Sequence, residues 1–200
     1  MEDDFQLLEL PRSPWLDPET VKERFRTLSN THHPDRFHDA SPSERTEAEA
    51  HYVKLNQASQ RLGDLKQRLR YLLELYGHHK SGVVEQAPAE LMDWFMELGG
   101  LSRKVQNHKN NLEKAESPIL KAQLMGTTLE LTEELDHFLQ KINAKMEIHV
   151  TEIKQLQSTW PAEGQPNSEP LDQLASVYRS VAHLDRWQKQ IQEMRLNLAF

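Results

Sequence analysis

Apolar residues recur every three or four positions along most of the chain, and this spacing restricts its fold more than any other feature. A period of three to four residues places them on one face of an α-helix. Strand-type alternation is scarce, and seven glycines in 200 residues leave few interruptions. The sequence therefore predicts an all-α protein. The longest stripe comprises Leu131, Leu135, Phe138, Ile142, Met146, Val150, Ile153 and Leu156.

Proline and aspartate mark the first two helices. A short helix is predicted over Asp4–Leu10, where a proline follows it. Asp17 is an N-cap candidate, and Pro18 suits the first helical position because its missing N–H needs no partner there. This second helix should end near His32, since the residue that precedes a proline is disfavoured in the α region.

Two further short helices follow a loop. Ser41 and Glu44 have the spacing of a capping box, which predicts the start of a third helix. Asp64 can cap a fourth helix directly after it. Gly77 is expected to end this helix in the left-handed conformation that glycine adopts readily.

The second half of the chain has longer periodic segments. Pro88 and Pro118 each mark the start of a long helix, and a proline-rich loop at 161–170 precedes a last one. Three long amphipathic helices bury their stripes most simply as an antiparallel bundle. We therefore expect a first domain at 1–77, a linker at 78–87 and a three-helix bundle at 88–200.

Composition excludes several functional classes. The chain has no cysteine, so disulfides, thiol nucleophiles and cysteine-ligated metals are excluded. A net charge of −7 argues against nucleic acid as a partner. No apolar run is long enough to cross a membrane, and the acidic start lacks a secretory signal. We expect a cytoplasmic protein, or one in an organelle matrix after processing.

Motifs that mark catalytic sites are also missing from the sequence. It contains no GxSxG, P-loop or GxGxxG, and no histidine pair at helical i, i+4 spacing that could ligate zinc. We expect no enzymatic activity, no cofactor and no metal.

The most specific local signal is the tripeptide His33-Pro34-Asp35 within THHPDRFH. It lies between the second predicted helix and the capped third helix. The phrase RFRTL precedes it, and LNQASQRL and RLRYLLELYG follow it. Together these features resemble a J-domain. With the later segment LMDWFMEL, the chain resembles the HscB family of co-chaperones in iron–sulfur cluster assembly, closely from Phe5 to Gly77 and more loosely from Pro88 onward.

The resemblance implies two binding partners. The HPD loop would dock onto a DnaK-type chaperone, in this family usually the specialised HscA, and stimulate its ATP hydrolysis. The second domain would bind an IscU-type scaffold protein. The chaperone-binding residues implied are His33, Pro34, Asp35, Lys22, Arg24, Arg26 and Arg36, and the scaffold-binding residues are Leu91, Met92, Phe95, Met96, Glu97 and His183.

Helical periodicity divides the candidate scaffold-binding residues. Leu91 and Phe95 fit the buried stripe, so core packing is their expected role. Met92 and Met96 are rotated by about 100° from that stripe and can form an exposed apolar surface. Gly99-Gly100 leaves open whether this helix breaks or bends, because two interior glycines cost about 2 kcal/mol relative to alanine.

Two other functions remain open from the sequence. The chain could be a J-domain adaptor for a general DnaK chaperone with an unrelated client. It could instead be a structural module that dimerises through the stripe beginning at Leu131. The loop at 161–170 lets the last helix fold back over that stripe, so we expect a monomer or a weak dimer.

Overall fold

A computed structural model of the chain describes residues 3–32, 41–78, 87–161 and 164–199. No strand occurs in these ranges, so the all-α prediction is confirmed. None of the helices described there is long and apolar enough to cross a bilayer. The helices are α1 (Asp4–Leu7), α2 (Pro18–Thr31), α3 (Pro42–Gly63), α4 (Leu65–Leu75), α5 (Met92–Lys114), α6 (Pro118–Leu156) and α7 (Ser168–Ala199).

The predicted caps of α2 and α3 are present. The Asp17 carboxylate accepts the backbone N–H of Thr20 at 3.1 Å, and Pro18 follows the cap. Ser41 Oγ accepts the N–H of Glu44 at 3.3 Å, and the Glu44 carboxylate accepts the N–H of Ser41 at 2.8 Å. Both helices therefore begin where their unpaired amide groups find side-chain acceptors.

Gly77 ends α4 as predicted. Its φ of 67° lies in the left-handed region. The N–H of Gly77 donates to the Glu74 carbonyl at 3.0 Å, and the N–H of His78 donates to the Leu73 carbonyl at 2.9 Å. This pair of bonds is a Schellman motif, in which glycine carries no steric penalty.

The first helix is shorter than predicted. It ends at Leu7 rather than at Leu10, because Glu9 has a φ of 52° and so leaves the right-handed helical region. The N–H of Leu10 then donates to the Phe5 carbonyl at 2.8 Å, as in the Schellman motif. The chain therefore turns at Glu9, directly after α1 and before Pro11.

Contacts between residues divide the structure into two compact units. One combines Met1–Val83 with Glu152–Tyr178, and the other combines Val84–Thr151 with Arg179–Phe200. The helices α6 and α7 thus contribute residues to both units. The linker predicted at 78–87 lies largely outside the described residues, and the domain division at that linker stays a prediction.

The first unit contains a buried arginine that the sequence pattern did not reveal. Arg68 on α4 donates from Nη1 to the Leu62 carbonyl at 2.5 Å and from Nε to the Pro14 carbonyl at 3.4 Å. Its guanidinium lies 5.8 Å from the centre of the Trp15 ring. Burial lowers the pKa of Arg68 to about 10. Arg68 thus joins the end of α3 to the segment that precedes α2.

The residues of this unit from 152–178 pack on the N-terminal helices. Trp160 Nε1 donates to the Arg12 carbonyl at 2.9 Å, and the Trp160 ring lies 5.9 Å from that of Tyr76. Lys154 Nζ lies 4.5 Å from the centre of the Trp15 ring. The apolar residues buried in this unit include Phe5, Leu8, Val21, Leu55, Leu62, Leu69, Leu72, Leu73, Ile153, Leu171 and Leu174.

In the second unit, ion pairs define the direction of α5 relative to α6. Glu97 contacts Lys141 at 2.6 Å, and Lys104 contacts Glu134 at 2.6 Å. Seven residues forward on α5 correspond to seven residues backward on α6, so the two helices are antiparallel.

In this unit, paired residues also run in opposite directions along α6 and α7, so these two helices are antiparallel as well. Asp136 pairs with Arg195 at 3.1 Å, and the Gln188 amide donates to Asn143 at 3.3 Å. The three helices share one apolar core. It comprises Leu91, Leu98, Leu101, Val105, Leu131, Leu135, Phe138, Ile142, Leu184, Trp187, Ile191, Met194 and Leu198.

The two adjacent glycines do not interrupt α5. The helix runs unbroken from Met92 to Lys114 through Gly99 and Gly100. Leu98 and Leu101, on either side, are buried in the shared core. Each such side chain contributes about 1.5–3 kcal/mol on burial, which offsets a glycine penalty of about 2 kcal/mol.

Arg68→Met should destabilise the fold by about 2–4 kcal/mol, because it leaves buried carbonyl groups without donors. Urea unfolding followed by circular dichroism measures this. Arg70→Met on the same helix is the matched control, since Arg70 is exposed and pairs with Glu74 at 2.9 Å. That control should cost less than about 0.5 kcal/mol. Equal stability of the two variants would show that the Arg68 hydrogen bonds contribute little.

Candidate functional site

The predicted HPD motif connects two helices that pack against each other. His33, Pro34, Asp35 and Arg36 lie outside the described residues, so the structure shows the flanks of the motif. α2 packs along α3. Their contact includes the rings of Phe25 and Tyr52, with centres 6.3 Å apart, and those of His32 and His51, with centres 4.4 Å apart.

Two of the predicted basic residues on α2 lie on its exposed side. Lys22 and Arg26 are four residues apart, which places them on one face of the helix. Lys22 Nζ pairs with Glu19 at 2.7 Å. The Arg26 side chain is exposed. The exposed Glu19 and Glu23 lie on the same face, so two acidic side chains balance the two basic ones there.

Arg24, by contrast, makes contacts within the protein. Its guanidinium pairs with the Glu9 carboxylate, and its Nε donates to the Leu8 carbonyl at 3.4 Å. These bonds hold the turn after α1 against α2. The structure thus gives Arg24 a role in positioning the helix, and its predicted part in chaperone binding stays a prediction.

The capping box of α3 marks the other flank of the motif. Hydrogen bonds with the side chain and then the backbone of Ser41 hold the pKa of Glu44 below its usual value. The ionised carboxylate is therefore the form that caps the helix. The negative charge also lies at the helix N-terminus, where the helix dipole favours it.

An exposed apolar ridge lies at the start of α5. Met92, Phe95 and Met96 are 49%, 54% and 65% exposed, and their i, i+3, i+4 spacing aligns them on one side of the helix. We call these three residues the Met92 ridge. The predicted exposure of the two methionines is confirmed. Leu91 is fully buried in the shared core, also as predicted.

The prediction that Phe95 packs in the core is wrong. Trp94 lies three residues after Leu91 and takes the inward position. Its ring meets that of Phe138 edge-on, with the centres 6.0 Å apart. Because Trp94 fills the space beside Phe138, Phe95 extends the exposed ridge instead. Phe95 lies three residues after Met92, and this spacing is the sequence signal that could have indicated its exposure.

Charged residues brace both ends of the ridge. Glu97 is paired with Lys141, whose Nζ lies 5.2 Å from the centre of the Trp94 ring. Before the ridge, Glu90 contacts Lys145 at 3.3 Å and accepts a hydrogen bond from Ser180 at 3.4 Å. These contacts with α6 and α7 set the orientation of the ridge.

His183 lies on α7, where its half-buried ring packs against Trp187 with the centres 6.0 Å apart. Its proposed part in scaffold binding stays a prediction, as do those of Leu91 and Glu97. Within the described ranges, no cluster of three or more histidine, aspartate or glutamate side chains could hold a metal ion.

Comparison with known proteins identifies a domain family for the N-terminal part of the chain. The DnaJ domain family matches residues 3–71. Proteins named "Co-chaperone protein HscB homolog" from two strains of Vibrio cholerae serotype O1 are each 38% identical to this chain over 73 residues. That segment is 36% of this chain and 43% of each relative, so the match spans less than half of the relatives' length.

Solved structures extend the similarity to the rest of the fold. The chaperone HscB from Vibrio cholerae has a TM-score of 0.62 at 22% identity, covering 98% of this chain and 99% of its own. The human co-chaperone protein HscB has a TM-score of 0.62 at 19% identity, covering 95% of this chain and 80% of its own. The chain contains a DnaJ domain at residues 3–71. Helices α1–α4 lie almost completely within that match, and the Met92 ridge lies beyond it.

Acid should loosen the start of α3 next to the HPD loop. Because the folded-state pKa of Glu44 is lowered, the stabilisation from its ionised form is complete above the unfolded value of about 4.5 and is lost as pH falls through the folded value. The protection factors of the amides of residues 43–46, which compare each exchange rate with the intrinsic rate at the same pH, should therefore fall below about pH 4.5.

Glu44→Gln is the control for this titration, since a neutral amide has no carboxyl proton to bind. It should remove the acid-dependent step while keeping most of α3. Ser41→Ala should cost about 1 kcal/mol at neutral pH through loss of the cap. The same acid step in wild type and Glu44→Gln would assign it to another group.

Proposed function

We propose that this chain is an HscB-type co-chaperone that stimulates the ATPase of a DnaK- or HscA-type chaperone through its HPD loop. The observation that carries the proposal is the DnaJ-domain match over residues 3–71, which includes His33-Pro34-Asp35 between α2 and α3. The protein itself would act without catalytic chemistry. Its effect would be to trigger ATP hydrolysis in its partner.

The residue types of the loop suit docking onto a charged surface. Pro34 restricts one backbone angle, so less conformational entropy is lost on binding. Asp35 offers a carboxylate for a charge-assisted hydrogen bond with an arginine of the partner. Lys22 and Arg26 on the exposed side of α2 would offer cationic groups to carboxylates of the partner, and such charge pairs would make the association sensitive to salt.

We further propose that the Met92 ridge binds an IscU-type iron–sulfur scaffold protein. Two flexible thioethers and one phenyl ring, exposed together on a braced helix, form an adaptable apolar surface. Binding the scaffold on the chain that also engages the chaperone raises the local concentration of the client at the chaperone. Modest affinities at each surface would then suffice.

His33→Gln should abolish most of the stimulation of ATP hydrolysis, because it removes the imidazole ring of the first residue of the HPD motif. Single-turnover hydrolysis by the cognate chaperone, with and without this protein, measures the effect. His137→Gln is the control, since His137 is exposed on α6 and lies outside the DnaJ-domain match. Equal stimulation by wild type and His33→Gln would rule out a J-domain mechanism.

Met92→Ser with Met96→Ser should weaken scaffold binding about tenfold or more, since exposed apolar anchors carry much of an interface energy. Isothermal titration with an IscU-type scaffold measures the dissociation constant. The matched control is Met125→Ser with Leu129→Ser, two residues four apart on α6 that are 66% and 63% exposed.

The control pair should leave scaffold affinity unchanged. If both double variants bind like wild type, the Met92 ridge is not the binding surface. If wild type binds no scaffold but still stimulates the chaperone, the client is a different protein and the iron–sulfur part of the proposal fails alone.

A further inference from the structure

Two histidines meet at the base of the HPD loop. His32 lies at the C-terminal end of α2, and His51 lies in the third turn of α3. Their ring centres are 4.4 Å apart and the ring planes are inclined at 53°. Both side chains are half-buried. Nineteen residues separate them in sequence, so no local helical spacing could have indicated this pair.

Hydrogen bonding sets the tautomer of His32. Its Nδ1 lies 3.0 Å from the Leu28 carbonyl oxygen, which can only accept, so this contact favours the tautomer with the proton on Nδ1. The Thr31 hydroxyl lies 2.9 Å from the same nitrogen and donates to the same carbonyl at 2.8 Å. In that tautomer the lone pair is on Nε2. A histidine whose other nitrogen donates to a backbone carbonyl has the orientation typical of metal ligands.

The separation of the two rings suits a shared metal ion. Imidazole nitrogen binds Zn²⁺ at about 2.0–2.1 Å, so two imidazoles on one ion have ring centres about 4.5 Å apart at a 90° angle and about 5.2 Å apart at the tetrahedral angle. The observed 4.4 Å is at the short end of this range, and side-chain rotation would have to turn one nitrogen of each ring toward the shared ion. At the ligating nitrogen of His51, the metal would take the place of a proton or hydrogen bond.

We propose that His32 and His51 form a two-histidine site for a late first-row divalent metal such as Zn²⁺ or Ni²⁺, for which imidazole is a suitable ligand. His32 and His51 would supply two of its ligands, and no third histidine, aspartate or glutamate within the described ranges completes a cluster with them. The bound metal would connect α2 to α3 directly beside residues 33–40. This site does not depend on chaperone binding or on the Met92 ridge.

Isothermal titration of the full-length protein with ZnCl₂ at pH 7.5 tests the site, with MgCl₂ as the metal control. We expect one Zn²⁺ site whose affinity falls at least tenfold in His51→Gln and in His32→Gln. His137→Gln, which changes an exposed histidine on α6, should bind like wild type. Zn²⁺ should raise the melting temperature of wild type and of His137→Gln, and leave that of His51→Gln unchanged.

Nitrogen NMR of the histidine rings identifies the ligating atoms. Zn²⁺ should shift the Nε2 resonance of His32 while its Nδ1 stays protonated. Circular dichroism confirms that the variants keep their helices, and His51→Asn replaces His51→Gln if the latter does not fold. Unchanged affinity in both His32→Gln and His51→Gln would overturn the proposal. So would loss of binding only in His33→Gln or His78→Gln, which would place the metal at other histidines.

Discussion

Burial of one apolar stripe from each of α5, α6 and α7 in a shared core is the constraint on which the second unit depends. It keeps α5 continuous across Gly99 and Gly100, because the neighbouring leucines lose more by leaving the core than the helix loses through two glycines. It also selects Trp94 for the inward position beside Phe138. Phe95 and the two flanking methionines are then left outside, so the exposed ridge is a consequence of how the core is filled.

In the first unit, hydrogen bonds at the helix ends constrain the fold as the shared core does in the second unit. The Ser41–Glu44 capping box and the Gly77 terminus satisfy backbone groups where α3 begins and α4 ends. Arg68 on α4 donates to the carbonyl groups of Pro14 and Leu62, which lie far apart in sequence, and so connects the end of α3 to the segment that precedes α2. The two helices that flank the HPD motif are thereby held in a defined arrangement, which would lower the entropy cost of the docking proposed for this motif.

The two proposed binding functions use different physical properties. The face of α2 that carries Lys22 and Arg26 would act mainly through charge, which affects the association rate and its salt dependence. The Met92 ridge would act through apolar contact, which affects how long a complex lasts.

The sequence by itself determined the all-α class, most helix boundaries and the position of the HPD motif, because caps, prolines and helical periodicity are local properties. It also determined that Met92 and Met96 lie off the buried stripe. It could not determine that Glu9 ends α1 early, that Arg68 is buried or that Phe95 is exposed. These outcomes follow from competition among side chains for positions that only the packed helices create. The approach of His32 to His51 has the same origin, since it requires α2 and α3 to pack together across nineteen residues of sequence.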